Sequence, residues 1–194
     1  MLCTLIAGAV GIATPTGRIL EDLDGELVFG SQIYGDAQPS GPAMLLDDPP
    51  SAMALGQISR IFAFDLFLGN VDRHLNNYLV RTQNGMQLVL AMDFSHALLC
   101  EWPLAALPMP STCKTVARGR NLRHRWGFDP LQASDCAGRL LDLPAASIVQ
   151  LVNQIPSSWL PSGLGDDFCD WWRTQGRVDR AEQVRAGVKD GSLL

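Results

Sequence analysis

The stretch NVDRHLNNYLVRTQNGMQLVLAMDFSHAL, residues 70–98, decides the fold of this chain. It places Asp-Arg-His and two adjacent Asn before a predicted β-hairpin, and Asp-Phe-Ser-His after it. An Asn-Gly pair at 84–85 lies between two runs rich in Val and Leu, which is typical of a tight turn between antiparallel strands. Because a hairpin folds the chain back, we expect Asn77 and Asp93, at its two ends, to approach each other.

A strongly apolar segment, residues 51–68, precedes this stretch and predicts a helix that is buried on most sides. Gly69 is predicted to end it. Asp65 lies inside it, and a buried carboxylate needs hydrogen-bond partners. We therefore expect Asp65 to brace the following loop rather than to react, and Arg73 to anchor that loop.

Other segments are predicted from local signals. Residues 2–12 read as a short apolar helix, and the Asp-Gly at 24–25 predicts a first hairpin. Asp129-Pro130 predicts a helix start. Beyond a further helix near 144–154, a single final helix is expected to open at Asp166 or Asp167.

Composition limits the function classes. The 194 residues are 47% hydrophobic and 18% charged, which suits one domain with a sizeable core. A net charge of -5 argues against a nucleic-acid partner. Five cysteines without a C-x-x-C pair predict reduced thiols and a cytoplasmic location. The apolar start is too short to span a bilayer, so no membrane partner is expected.

The polar residues around the predicted hairpin fit phosphoryl transfer, which needs a metal held by oxygen ligands and an oriented acceptor hydroxyl. Asp72 is followed five residues later by Asn77, and the hairpin then leads to Asp93, a spacing that protein kinases also use. The side-chain oxygens of Asn77 and Asp93 suit Mg²⁺. Asp72 would position the acceptor proton, and His74 would assist proton movement or bind a phosphate oxygen. The alternative is a well-bonded turn with a strand cap.

GNVDRHLNN followed by AMDFSHALL resembles the motifs of HipA-like kinases, and it is similar to those of phosphoinositide lipid kinases. LVFGSQ and IVQLVNQIPSSWL look like the flanks of small bacterial HipA-like kinase domains. The resemblance covers about residues 1–185. It implies an α+β fold with a protein-kinase-like large lobe, mostly helical with short β-hairpins, and a truncated N-lobe. Residues 1–46 would be the remnant of the small lobe and hinge, and residues 47–194 the large lobe with a metal-binding hairpin at 70–96.

The same resemblance assigns functional residues. Asp72 resembles the catalytic Asp and His74 its partner in the loop, whereas Asn77 and Asp93 resemble the two metal ligands. The implied cofactors are ATP and Mg²⁺. The implied acceptor is a Ser/Thr of a protein or a small molecule.

Two departures from the family pattern bear on activity. Kinases carry a phosphate-covering loop and a strand Lys before the first helix, but the two lysines here, Lys114 and Lys189, both follow the metal motif. GSQIYGDAQPSG, residues 30–41, reads as a surface loop rather than a replacement for the phosphate loop. Three explanations stay open: an upstream start, a protein partner that completes or regulates the small lobe, or degraded nucleotide binding. The second departure is Ser95, which replaces the usual Gly.

The sequence therefore leaves two functions open. The chain is a phosphotransferase, or it is a pseudokinase serving as a binding or assembly module, with or without nucleotide.

The segment KTVARGRNLRHRWGF concentrates positive charge in an acidic protein. It lies downstream of the metal motif, where kinases place the loop that meets the substrate. One hypothesis is a patch for an anionic substrate or partner, and the other is a solvated connector that balances acidic neighbours. The residues concerned are Lys114, Arg118, Arg120, Arg123 and Arg125.

Overall fold

The computed structural model describes residues 1–32, 34–35, 37–39, 49–84, 86–98, 102–104 and 106–193. The helices in these residues are α1 Leu2–Ala9, α2 Ala52–Leu68, α3 Lys114–Trp126, α4 Pro130–Asp142, α5 Ala145–Val152, α6 Leu164–Arg173 and α7 Gln175–Asp190. The strands are β1 Gly17–Glu21, β2 Leu27–Ser31, β3 Ala37–Pro39, β4 Tyr78–Gln83 and β5 Met86–Ala91.

Helix α2 is the central element of the core. The Ser51 hydroxyl accepts a hydrogen bond from Ala54 N at 3.2 Å and so caps its start. Gly69, with φ 69°, ends it in the left-handed conformation that glycine adopts without strain. Beyond its first turn most of its apolar side chains are buried, and Phe64 and Phe67 have no exposed surface. Helices α3, α4 and α7 and strand β5 pack around it. The predicted buried helix and its end at Gly69 are confirmed.

The strands form two small antiparallel sheets. One pairs β1 with β2, and the other has the order β3-β4-β5. In the β4–β5 hairpin Tyr78 pairs with Ala91 and Gln83 with Met86. Asn84 has φ 52°, a left-handed conformation that suits the predicted turn. Its neighbour at 85 lies outside the described residues. Both predicted hairpins are present.

The β1–β2 hairpin presents apolar side chains to solvent. Five of them are between 37% and 50% exposed: Ile19, Leu20, Leu27, Val28 and Phe29. A hydrogen bond from Trp159 Nε1 to Leu27 O, at 3.2 Å, joins it to the helical part of the chain. The predicted lobe boundary at 46/47 and part of the 30–41 loop lie outside the described residues. In the described part of that loop, residues 37–39 form strand β3, paired with β4, so the prediction of a loop is wrong there.

The carboxyl-terminal half differs from one expectation. The predicted single final helix is two helices, α6 and α7, because Thr174 between them is extended, with φ -87° and ψ 168°. Just before the break, the rings of Trp171 and Trp172 pack on Phe67 of α2, with ring centroids 6.1 Å and 5.6 Å apart. None of the described helices combines the length and apolar character needed to cross a membrane.

Candidate active site

The site is built on a buried ion pair between α2 and the loop that follows it. Arg73 Nε donates to Asp65 Oδ2 at 2.7 Å, and Arg73 Nη2 donates to Asp65 Oδ1 at 2.8 Å. Asn70 Nδ2 also donates to Asp65 Oδ1, at 2.8 Å. The two charged side chains are at most 1% exposed. The prediction that Asp65 braces the loop and Arg73 anchors it is confirmed.

The same guanidinium joins the two ends of the β4–β5 hairpin. Arg73 Nη1 donates to Asn77 O at 2.9 Å and also to Met92 O. Met92 N in turn donates to Asn77 O at 3.0 Å. Asn77 is therefore held against the residue that precedes Asp93, and the predicted approach of the hairpin ends is seen in the backbone.

Asp72 lies on the outer side of this loop. Its carboxylate contacts Lys114 Nζ through Oδ1 at 2.5 Å and lies 3.9 Å from His74 Nε2 through Oδ2. The hydrogen bond from Lys114 is the main cause that holds the pKa of Asp72 below its ordinary value, and the nearby His74 and His96 act in the same direction. At neutral pH Asp72 is therefore ionised and accepts hydrogen bonds.

Asn77 offers a neutral oxygen at the end of the same loop. Its side chain is buried, and its Nδ2 donates to Asp72 O at 3.2 Å. That bond orients the amide, and no donor among the described residues contacts Oδ1. This oxygen is consequently available as a ligand for a hard cation.

Asp93 offers a charged oxygen from the other end of the hairpin. It is exposed and has φ 55°, a left-handed conformation that Asp tolerates better than most residues. Its Oδ1 accepts hydrogen bonds from Ser95 Oγ at 2.7 Å and Ser95 N at 3.1 Å. The Ser95 hydroxyl is the main reason that the pKa of Asp93 is lowered. Ser95 thus orients the carboxylate and keeps it ionised, while Oδ2 accepts no hydrogen bond from the described part of the chain.

This donor set fits Mg²⁺. The ion keeps several waters and is bound by one or two protein oxygens together with substrate phosphates. One amide oxygen from Asn77 and one carboxylate from Asp93 match that pattern. A closed all-protein site is not formed, since the described residues contain no cluster of three or more His, Cys, Asp or Glu side chains.

A cavity of about 310 Å³ opens beside Asp93. It lies between strand β2 and the segment after β5, and its volume is at the lower end of the range for small-molecule sites. The residues around it include Met1, Thr4, Pro15, Phe29, Asp93 and Phe94. The cavity brings the β1–β2 hairpin and one predicted metal ligand to the same space.

The five basic residues of the predicted patch all lie on α3. At 100° per residue, Lys114, Arg118 and Arg125 share one side of the helix, and the other two point away from it. Arg123 lies against Gly191 at the end of α7. A Cβ added to Gly191 would be 2.8 Å from Arg123 Nη1. Arg125 stacks over Trp126 at 5.1 Å. The segment is helical, and its charges are divided between two sides.

Two functional contacts had no signal in the sequence. Thr115 Oγ1 accepts from Arg73 N at 3.0 Å and donates to Asn70 O at 2.5 Å. Lys114 N donates to Val71 O at 3.1 Å. The start of α3 is thereby attached to the loop that carries Asp72. The partners are more than forty residues apart in the chain, so no local pattern relates them.

Comparisons with known proteins show the fold. No family model matches the chain, and the comparison with curated proteins found no match. A solved structure to which it is similar is the crystal structure of a Helicobacter pylori proinflammatory kinase, CtkA, at 13% identity and a TM-score of 0.52. The match covers 98% of this chain and 86% of that chain. Membership of the HipA-like group stays a prediction. The chain has a kinase-like, helix-rich α+β fold with a truncated small lobe, as the sequence predicted.

Proposed function

We propose that this chain is an ATP- and Mg²⁺-dependent phosphotransferase of the HipA-like type, of which it supplies the metal-binding and acceptor-binding half. One observation carries the proposal: the buried Arg73 joins both ends of the β4–β5 hairpin. This contact holds Asn77 and the segment of Asp93 next to the loop of Asp72. A simple turn with a strand cap would not need a fully buried guanidinium at that point.

The residues take distinct roles in this proposal. Asn77 Oδ1 and Asp93 Oδ2 would hold Mg²⁺, which when bound neutralises charge on the phosphates. Asp72 orients the acceptor hydroxyl and accepts its proton as the new bond to phosphorus forms. His74 lies 3.9 Å from Asp72 and assists by its charge or by a hydrogen bond to phosphate. The nucleotide would enter the cavity beside Asp93, and the acceptor is a protein Ser/Thr or a small molecule.

A pseudokinase that acts as a binding or assembly module is the second candidate. It is favoured by the lysine content, since Lys114 and Lys189 both follow the metal motif and neither stands where kinases place the strand Lys. Both candidate functions are compatible with a protein partner that binds at the small lobe. The exposed apolar surface of the β1–β2 hairpin is suited to such a partner, because a two-stranded hairpin is marginal by itself.

A thermal-unfolding titration with MgATP tests the proposal, with Asp93→Asn as the variant and Asp166→Asn, an exposed acid of α6, as its control. Nucleotide at a hundred times its dissociation constant adds about 2.7 kcal/mol of stability. We expect the wild type and D166N to gain that stability and D93N to lose most of it. Transfer of the terminal phosphate is followed in the same samples.

The outcomes separate the two candidates. Stabilisation with phosphate transfer supports the enzyme. Stabilisation of wild type without transfer to protein or water supports the binding module. If the wild type and D93N both show no shift with MgATP, the proposal of a nucleotide-dependent function is wrong.

A further inference from the structure

The contact between Lys114 and Asp72 joins the start of α3 to the proposed acceptor site. Lys114 Nζ lies 2.5 Å from Asp72 Oδ1. The lysine side chain is 66% exposed and the aspartate side chain 25%. An exposed ion pair contributes little to stability. The small contribution of this ion pair to the stability of the fold does not explain why Lys114 lies on the carboxylate of Asp72.

The backbone of Lys114 is held by hydrogen bonds, while its side chain is 66% exposed. Lys114 N donates to Val71 O at 3.1 Å, and the adjacent Thr115 is hydrogen-bonded to Asn70 and Arg73. These bonds hold the Cα of Lys114 at a constant distance from the loop. The flexible four-carbon stem then lets the ammonium move over a short range around Asp72.

The charge balance of the site calls for a cation at this place. Asp72 and Asp93 bring two carboxyl groups to the site, and a nucleoside triphosphate would add further negative charge. Phosphoryl transfer requires neutralisation of the negative charge on the oxygens of the transferred phosphoryl group. Of the two lysines in the chain, Lys189 is near the end of α7 and Lys114 contacts the proposed site.

We propose that Lys114 is the residue that binds the transferred phosphoryl group, an inference that rests on the proposed function. The acceptor oxygen must lie within hydrogen-bond reach, about 2.6–3.2 Å, of Asp72. The phosphorus that this oxygen attacks is adjacent to it. An ammonium already on Asp72 is within a short side-chain movement of the same phosphoryl oxygens.

The step balances without another reactant. The acceptor oxygen forms a bond to the terminal phosphorus, and the bond from that phosphorus to the bridging oxygen breaks. The bridging oxygen leaves with the diphosphate, and the acceptor proton goes to Asp72. Lys114 stays protonated, and its ammonium moves from Asp72 to donate hydrogen bonds to the phosphoryl oxygens. It thereby performs the charge neutralisation that kinases assign in part to the strand Lys.

Binding of a nucleotide with and without its terminal phosphate tests this assignment, and it needs no acceptor. The affinities of the full chain for ATPγS and for ADP, both with Mg²⁺, are measured by calorimetry. The variants are Lys114→Met, which keeps the length of the side chain, and Lys114→Arg, which keeps its charge. Lys189→Met is the matched control.

The wild type and K189M are expected to bind ATPγS more tightly than ADP, by about tenfold for one charged hydrogen bond. K114M should lose most of this preference, K114R should retain part of it, and all variants should unfold at nearly the wild-type temperature. A preference unchanged in K114M, or equal wild-type affinity for the two nucleotides, overturns the role of Lys114 and leaves the proposed function standing. A wild type that binds neither nucleotide overturns both.

Discussion

Arg73 forms a bidentate ion pair with Asp65 and binds, with the same guanidinium, the carbonyl oxygens at both ends of the β4–β5 hairpin. A single buried cation thereby connects the central helix α2, the loop of Asp72 and the segment of Asp93. Carbonyl oxygens and a carboxylate satisfy the charge on all sides, which a guanidinium requires when it is removed from water.

Loss of the Asp65 charge should strongly destabilise the protein. Asp65→Asn keeps the shape of the side chain but leaves the Arg73 charge buried without a counter-ion, and breaking a buried pair costs about 3–5 kcal/mol. The free energy of unfolding in urea measures the effect. Asp135→Asn is the control, because Asp135 pairs with Arg60 and Arg139 while it is 47% exposed. Its loss should stay below about 1 kcal/mol. Equal losses in the two variants would contradict the role given to Arg73.

Cys136 should be unreactive in the folded protein. Burial raises the pKa of its thiol to about 12, so the reactive thiolate is scarce at pH 8 and remains scarce at pH 9. We expect iodoacetamide to label it only when urea unfolds the chain. Cys113 is partly exposed and serves as the internal control in the same digest. Labelling of Cys136 as fast as Cys113 at pH 8 without urea would show that α4 opens locally.

The parts of the site that could be predicted involve residues that are close together in the sequence. The period of the apolar residues predicts α2, and Asn-Gly predicts the turn that brings Asn77 towards Asp93. A carboxylate inside a mostly apolar helix predicts that Asp65 needs a partner, and the structure supplies Arg73 from the loop that follows. Each of these inferences uses fewer than twenty residues, over which secondary structure fixes the geometry.

The contacts made by the start of α3 were not predictable in this way. Lys114 and Thr115 reach Asp72 and Asn70 because of the path of the chain between β5 and α3, a proline-containing segment without a period. The division of the basic residues has a similar origin. Charge density along the chain suggested one patch, whereas the helical repeat distributes Arg118 and Arg123 to different sides of α3.

Thr115 should be needed to hold α3 on the loop of Asp72. Thr115→Val keeps the shape of the side chain and removes the hydroxyl that binds Arg73 N and Asn70 O. Two buried backbone groups are then left without partners, and each costs about 1–3 kcal/mol. We expect lower stability in urea and a lower affinity for MgATP. Thr115→Ser, which keeps the hydroxyl, should remain close to wild type. A loss of MgATP affinity in Thr115→Ser but not in Thr115→Val would show that the methyl group, not the hydroxyl, matters.

Gly119 and Gly138 provide a matched pair that tests the packing of α3 against α2. A Cβ on Gly119 would lie 2.3 Å from Phe62 Cε2, whereas a Cβ on Gly138 of α4 would meet nothing within 4 Å. Gly138→Ala should raise the free energy of unfolding by about 0.5–1 kcal/mol, because alanine favours the helix. Gly119→Ala gains the same helical preference but forces Phe62 or α3 to move, and such overpacking costs about 1–3 kcal/mol. Its net effect should be destabilising.

The position of Lys114 makes the Gly119 variant informative about function as well. Lys114 and Gly119 are on the same helix, so a displacement of α3 by Phe62 would move the ammonium relative to Asp72. We expect G119A to lose part of the preference for ATPγS over ADP, and G138A to keep it. If G119A is destabilised but retains the full preference for ATPγS over ADP, the displacement of α3 is confined to the surroundings of Phe62. If G119A is as stable as G138A, that result contradicts the close packing of Gly119 against Phe62.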